Sequence, residues 1–176
     1  VKKGSFYYFF DSKEQLAVAA LERMWKDDWK AKMDTVFSAS VDPLDRLRNY
    51  LANIYQWQTE MKQRFGRMIG CPVASVGSEV GTQECSICEK TREIMARKRR
   101  YVESTVRDAI ANGSLEPGDV TKRTTVLLSF IEGMTLQARA ANDLEILKDL
   151  PELGLEILRV RDTEPASAEP APAVGK

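Results

Sequence analysis

Apolar side chains recur along this chain every three or four residues, the spacing of one face of an α-helix, and the recurrence predicts an all-α protein. Leu16, Ala20, Met24 and Trp25 form a first stripe in a helix expected over 12–37, with Ser12 as its cap and Gln15 reaching back to the Ser12 backbone. After a break at 38–41, Asp42 caps a second long helix and Pro43 takes its first position, where the missing N–H costs nothing. Leu44, Leu47, Leu51, Ile54, Met61 and Phe65 are the inner stripe of that helix, flanked by Tyr50 and Trp57. Gly66 and Gly70-Cys71-Pro72 break the pattern. A further helix is expected from a Thr82 cap to Asn112, stopped by Gly113 in a left-handed conformation. Its inner face is Ile87, Thr91, Ile94, Tyr101, Val102, Thr105 and Ala109. Beyond a turn at 113–119 comes a helix to Ala141 with a wide apolar stripe of Val120, Thr124, Leu127, Leu128, Ile131, Met134 and Ala138. A last helix spans 144–161, kinked or split by Pro151. The proline-bearing tail, 162–176, has almost nothing to bury and is expected to be disordered.

Composition narrows the function classes. The 176 residues are 43% hydrophobic, enough for a real core, and carry 26 basic and 26 acidic side chains. A balanced charge gives the whole chain no electrostatic case for nucleic acid, but Lys2, Lys3 and Lys13 against Asp11 leave a local positive excess at the start. The run Arg97-Lys98-Arg99-Arg100 reads as a solvated helix face paired with nearby acids. Histidine is absent, which removes the commonest general base and metal ligand, and no glycine-rich phosphate loop is present. We therefore expect no enzyme, no cofactor and no metal. No stretch is long and apolar enough for a membrane span, and no secretory pattern stands out, so a cytoplasmic protein is expected.

Cysteine usage adds one candidate. Cys85-Ser-Ile-Cys88 has metal-type spacing, but with only Cys71 besides and no histidine a four-ligand zinc site is incomplete. Cys71 stands at a glycine-flanked helix start, where the dipole would lower a thiol's pKa and make thiolate available.

The most specific stretch is Lys3-Gly4-Ser5-Phe6-Tyr7-Tyr8-Phe9-Phe10-Asp11-Ser12-Lys13-Glu14-Gln15-Leu16. It resembles the segment joining the recognition helix to the fourth helix in tetracycline-repressor (TetR) family regulators, with Tyr7, Phe10, Lys13 and Leu16 in register and Phe6 replacing the more usual leucine. The resemblance implies an all-α fold: the remnant of a helix-turn-helix head plus an antiparallel helical body for ligand binding and dimerisation. It maps Lys3, Gly4, Ser5, Tyr7, Tyr8 and Phe9 to groove-facing positions, Phe9 standing where many members carry histidine, and Lys13 to a phosphate clamp. It implies operator DNA, a small apolar or electrophilic effector and a second copy of the chain as partners. Val1 falls inside what resembles the third helix, so two preceding helices are expected in a longer polypeptide, and operator binding is expected to need them.

Three regions follow: 1–37 as the end of a DNA-binding head with its connecting helix, 38–161 as the effector and dimerisation domain, and 162–176 as tail. The chain is also similar to the branch of the family that contains an N-ethylmaleimide-sensing repressor, through KGSFYYFF, Ala19-Ala20-Leu21-Glu22-Arg23, Gly70-Cys71 and Leu136-Gln137-Ala138. A reactive cysteine of that branch corresponds to Cys71, and Arg139 stands where the branch can carry lysine. From helix faces, the candidate ligand contacts are Tyr50, Ile54, Trp57, Cys71, Tyr101, Phe130 and Met134. The candidate dimer contacts are Leu127, Ile131, Gly133, Ala138 and Leu158. Two other readings stay open: a helical small-molecule carrier or adaptor without a DNA role, and a thiol-based redox protein acting through Cys71 or through Cys85 and Cys88.

Overall fold

The computed structural model describes residues 10–80 and 86–161, and these are helical throughout apart from turns and one isolated bridge. Lys3, Gly4, Ser5, Tyr7, Tyr8, Phe9, Thr82, Cys85 and the tail lie outside the described residues, as do the expectations placed on them. The helices are α1 (Lys13–Arg23), α2 (Lys30–Val36), α3 (Pro43–Phe65), α4 (Pro72–Val80), α5 (Ser86–Ala111), α6 (Val120–Ala141) and α7 (Leu150–Ile157).

Between α1 and α2 the chain does not break. Met24–Trp29 forms a π-helical turn, in which the Lys30 N–H donates to the Trp25 carbonyl five residues back. The expected 12–37 helix is thus one rod with a widened turn at its middle, in which Trp25 is buried and Trp29 half-buried. The inward face differs from the expected stripe: Leu21 and Trp25 are buried, while Leu16 and Ala20 are exposed. At the start of α1, the Ser12 hydroxyl accepts from the Gln15 N–H at 3.1 Å, as a cap should. The reciprocal bond is displaced by one residue, because the Gln15 side-chain oxygen accepts from the Asp11 N–H.

α5 is the central helix, packed against α1, α3, α4 and α6, while α7 closes the far side against α3 and α6. One core joins Leu47 and Leu51 of α3, Val102, Val106 and Ala109 of α5, Leu127 and Ile131 of α6, and Leu147, Leu150 and Leu158. A smaller cluster, Leu21, Trp25, Val73 and Ile94, seats α1 and α4 on the other half of α5. Gly154 shows how tightly α7 docks: a Cβ there would meet the Leu51 side chain at 2.8 Å, so only glycine fits. Local signals hold where the sequence placed them. The Asp42 carboxylate accepts from the Leu44 N–H at 2.8 Å ahead of Pro43, Asp119 caps α6 through the Lys122 N–H, and Gly113 has φ 82°. Pro151 splits the last helix, leaving a 3-10 turn (Glu145–Leu147) before α7.

The interface expectation needs correction. Leu127, Ile131, Ala138 and Leu158 are filled into the protomer's own core and present nothing to a second copy. The outward face of α6 is a different row, with Val126 52% exposed, Leu136 65% exposed and Gly133 between them with open space beyond its Cα. Spacings of seven and three place these on one face.

Charged contacts add to the apolar seat of the rod on α5. Glu22 of α1 accepts from Lys90 Nζ at 3.1 Å and Arg97 Nη1 at 3.2 Å, and Lys26 Nζ lies 3.4 Å away. Arg97 also stacks over the Trp25 ring, 5.5 Å from its centroid. Glu14 reaches Ser86 and accepts from its N–H at 2.8 Å, capping α5 from another helix. Burial alone would raise the Glu22 carboxyl, but Lys90, Arg97 and Lys26 hold it below the usual range. A carboxyl lowered in the folded state stabilises above its unfolded pKa, and that contribution is lost as pH falls through the folded value. Glu22→Gln should therefore lower the thermal midpoint at neutral pH and converge with the parent protein as pH drops from about 5 to 3; calorimetry across that window checks it.

Candidate functional site

The rod, α3, α5 and α6 enclose a cavity of about 620 Å3, within the range of small-molecule sites. Its apolar wall is built by helix periodicity. The π turn supplies Trp29, α2 supplies Met33 and Val36, α3 supplies Ile54 and Trp57, and α6 supplies Ile131. The remaining wall is polar and collects Tyr50, Cys71, Lys98, Glu132 and Thr135.

Lys98 is the residue that the sequence reading missed. It belongs to the run 97–100, whose other members behave as a charged surface: Arg97 pairs with Glu22 and Glu93, Arg99 donates to Thr121 and Thr125, and Arg100 is exposed. Lys98 instead lies in the inner stripe of α5 between Ile94 and Val102 and is only 9% exposed. Its register was the available signal, since four residues from Ile94 and four from Val102 leave it no route to solvent. Nζ donates to Glu132 Oε1 of α6 at 2.7 Å. Burial works against the ammonium, but the negative groups gathered on it, Glu132 chief among those charged at neutral pH, keep its pKa above the ordinary lysine value.

Two hydroxyls on the same wall lack a hydrogen-bond partner among the described residues, those of Tyr50 and Thr135. Burial raises the Tyr50 phenol, and the Lys98 ammonium eases that shift without a hydrogen bond of good geometry joining the two. Cys71 precedes α4, held there by Gly70, whose φ is 68° and whose N–H donates to the buried Gln58 side chain at 3.3 Å. The Ala74 N–H donates to Cys71 Sγ at 3.4 Å, which is the helix-start effect anticipated for this thiol. It does not prevail. Burial pushes the thiol above its ordinary pKa, Glu132 adds to that, and Lys98 and the N–H donors only offset part. Arg139 lies against Gly70 and donates to the Ser75 hydroxyl.

Of the candidate ligand contacts, the structure brings Tyr50, Ile54, Trp57 and Cys71 together on this cavity. Tyr101 is one step round α5 and faces a second cleft of about 550 Å3 with Trp25, Arg97 and Arg100; its phenol donates to Asp34 and is raised to about 12 by burial and by that carboxylate. Phe130 and Met134 pack at the margin of the main core instead. Trp29, Met33, Val36, Glu132 and Thr135 are among the further lining residues and were not anticipated as ligand contacts. Lys13 is exposed at the first position of α1. Among the described residues no cluster of acidic and cysteine side chains could hold a metal, Cys88 is buried, and no helix is long and apolar enough to cross a membrane.

Comparison with known proteins places this geometry. The family described as tetracyclin repressor-like, C-terminal domain, matches residues 43–150. The HTH-type transcriptional repressor NemR of Escherichia coli K12 is 29% identical over 154 residues, which cover 85% of this chain and 73% of that protein. The crystal structure of the regulatory protein TetR from Rhodobacter sphaeroides superposes with a TM-score of 0.73 at 26% identity, over 89% of this chain and 82% of the other. That of reduced E. coli NemR has the same fold, with a TM-score of 0.71 at 23% identity, covering 93% and 83%.

Two outcomes are expected from the site. Lys98→Met should destabilise by about 1–2 kcal/mol in urea titrations, because it leaves the half-buried Glu132 without its cation, whereas Lys98→Met combined with Glu132→Leu should recover most of the loss. Iodoacetamide should label Cys71 more slowly in the folded protein at neutral pH than in urea, with a rate still rising above pH 9, about where an ordinary thiol has levelled off; peptide mass spectrometry reads it.

Proposed function

We infer the function from one premise, that this chain belongs to the TetR family of transcriptional regulators. On it we propose a homodimeric repressor that leaves its operator when a small apolar effector fills the 620 Å3 cavity. The observation that carries the reading is that one continuous helical rod supplies both a wall of the cavity, through Trp29, Met33 and Val36, and, at its other end, Lys13 and the aromatic segment before it. A ligand that displaces Trp29 pushes on the rod that carries the proposed head. Two heads must be spaced to meet two major grooves, so a small tilt of each rod is enough to favour the unbound state.

The second copy would dock on the outward row of α6. Val126, Gly133 and Leu136 form an apolar row in a protomer whose other large side chains are mostly inside. Glycine in the middle of such a row allows two helices to approach closely. Lys13 serves as a phosphate contact, and Cys71 as part of the wall; a buried, neutral thiol favours a non-covalent effector over an electrophile.

Ile54→Trp tests the cavity reading, since an indole there occupies the space itself. A compound that releases the parent protein from its operator should fail to release Ile54→Trp; one that releases both equally acts elsewhere and ends the reading. Leu136→Glu should give a monomer by sedimentation and weaken operator binding. Lys13→Ala should weaken binding to every sequence alike and make the salt dependence shallower by about one phosphate contact.

A further inference from the structure

Glu60, Glu132 and side-chain amides line the cavity, but its buried polar corner around Lys98 is rich in donors. An ammonium can only donate, and one of the three Lys98 N–H bonds is committed to Glu132 at 2.7 Å. On the same wall, Tyr50 and Thr135 are 6% and 3% exposed, and their hydroxyls have no hydrogen-bond partner among the described residues. A buried hydroxyl without a partner is costly, and a group that met all three would recover that cost. Whatever sits against an ammonium must itself accept, so the group is an oxygen or nitrogen acceptor. Its charge is constrained as well. Glu132 already matches Lys98, and a second anion in this buried place would have to share one cation with it. The opposite wall sets the shape, because Trp29, Trp57 and Ile54 offer rings and branched carbons with which a flat apolar body packs well.

We propose that the cavity takes an uncharged, flat, largely aromatic compound with one hydrogen-bond-accepting oxygen, held by the Tyr50 and Thr135 hydroxyls and the Lys98 ammonium while the Lys98–Glu132 pair stays intact. This specifies the ligand of the effector site and rests on that reading for its regulatory meaning, although the binding stands by itself. No bond to Cys71 forms, and the anchoring residues are ones that a truncated apolar ligand would not engage.

Three probes on one ring system separate the terms: acetylnaphthalene with a neutral acceptor, ethylnaphthalene with none, and naphthoate with a charged one. Titrated into the protein and followed by tryptophan fluorescence, acetylnaphthalene should bind about tenfold more tightly than ethylnaphthalene and more tightly than naphthoate. Tyr50→Phe combined with Thr135→Val should erase most of that preference and leave ethylnaphthalene binding unchanged. These changes remove only unpartnered hydroxyls, so Tyr50→Phe should not lower the melting temperature of the ligand-free protein, which distinguishes an anchoring role from a structural one. Equal binding of the ketone and the hydrocarbon, tightest binding of naphthoate, no effect of the variants, or no binding of any probe would overturn the proposal. Release of operator DNA is a separate readout: selective binding of the ketone without release would contradict the repressor mechanism and leave the ligand assignment standing.

Discussion

A lysine ammonium sealed between helices needs an answer from its surroundings, and here the answer is Glu132. The 2.7 Å pair crosses from α5 to α6 and fixes how those helices face one another at the cavity. Once this pair is in place, the wall can be polar on one side and aromatic on the other without an uncompensated charge. The pair keeps Lys98 protonated, whereas burial more than the pair keeps the Cys71 thiol neutral; on the same wall two hydroxyls have no hydrogen-bond partner among the described residues. Such pairs contribute less to stability than to uniqueness of arrangement, because hydrophobic residues of similar size would fill the space as well.

The second constraint is the rod over 13–36. Its π turn places Trp25 in the small cluster on α5 and Trp29 both against that cluster and on the cavity, so the turn joins the clamped half of the rod to the cavity wall. The clamp is the charged set around Glu22, backed by Arg97 over Trp25. The responsive part is the stretch from Trp29 to Val36, which has no fully buried residue of its own. Widened helical turns recur at functional sites, and this one borders the cavity through Trp29.

Much of the fold was legible because its signals are local. Asp42-Pro43 and Gly113 each act within a turn of the chain, and each is found where the residues put it. The family was legible through one short aromatic motif. The site was only half legible, for reasons that can be stated. Tyr50, Ile54 and Trp57 follow from one helix face, but Lys98 was read with its charged neighbours instead of with the apolar stripe it interrupts. Its partner Glu132 is 34 residues away in sequence, and no spacing rule connects them. The α6 stripe misled differently: a helix with a core on one side and an open apolar row on the other carries two sets of hydrophobic positions, and Leu127 and Ile131 belong to the inner one while Val126 and Leu136 belong to the outer. The π turn has no sequence signature at all; it follows from where two tryptophans find room.

The account stands on the claim that the cavity and the rod are mechanically one unit. Amide hydrogen exchange, measured with and without a bound cavity ligand, addresses it directly. The account predicts that exchange changes across 24–36 together with the wall segment 50–58, while 150–157 on the far side of the core does not respond. A ligand that protects 50–58 and leaves 24–36 untouched would contradict it.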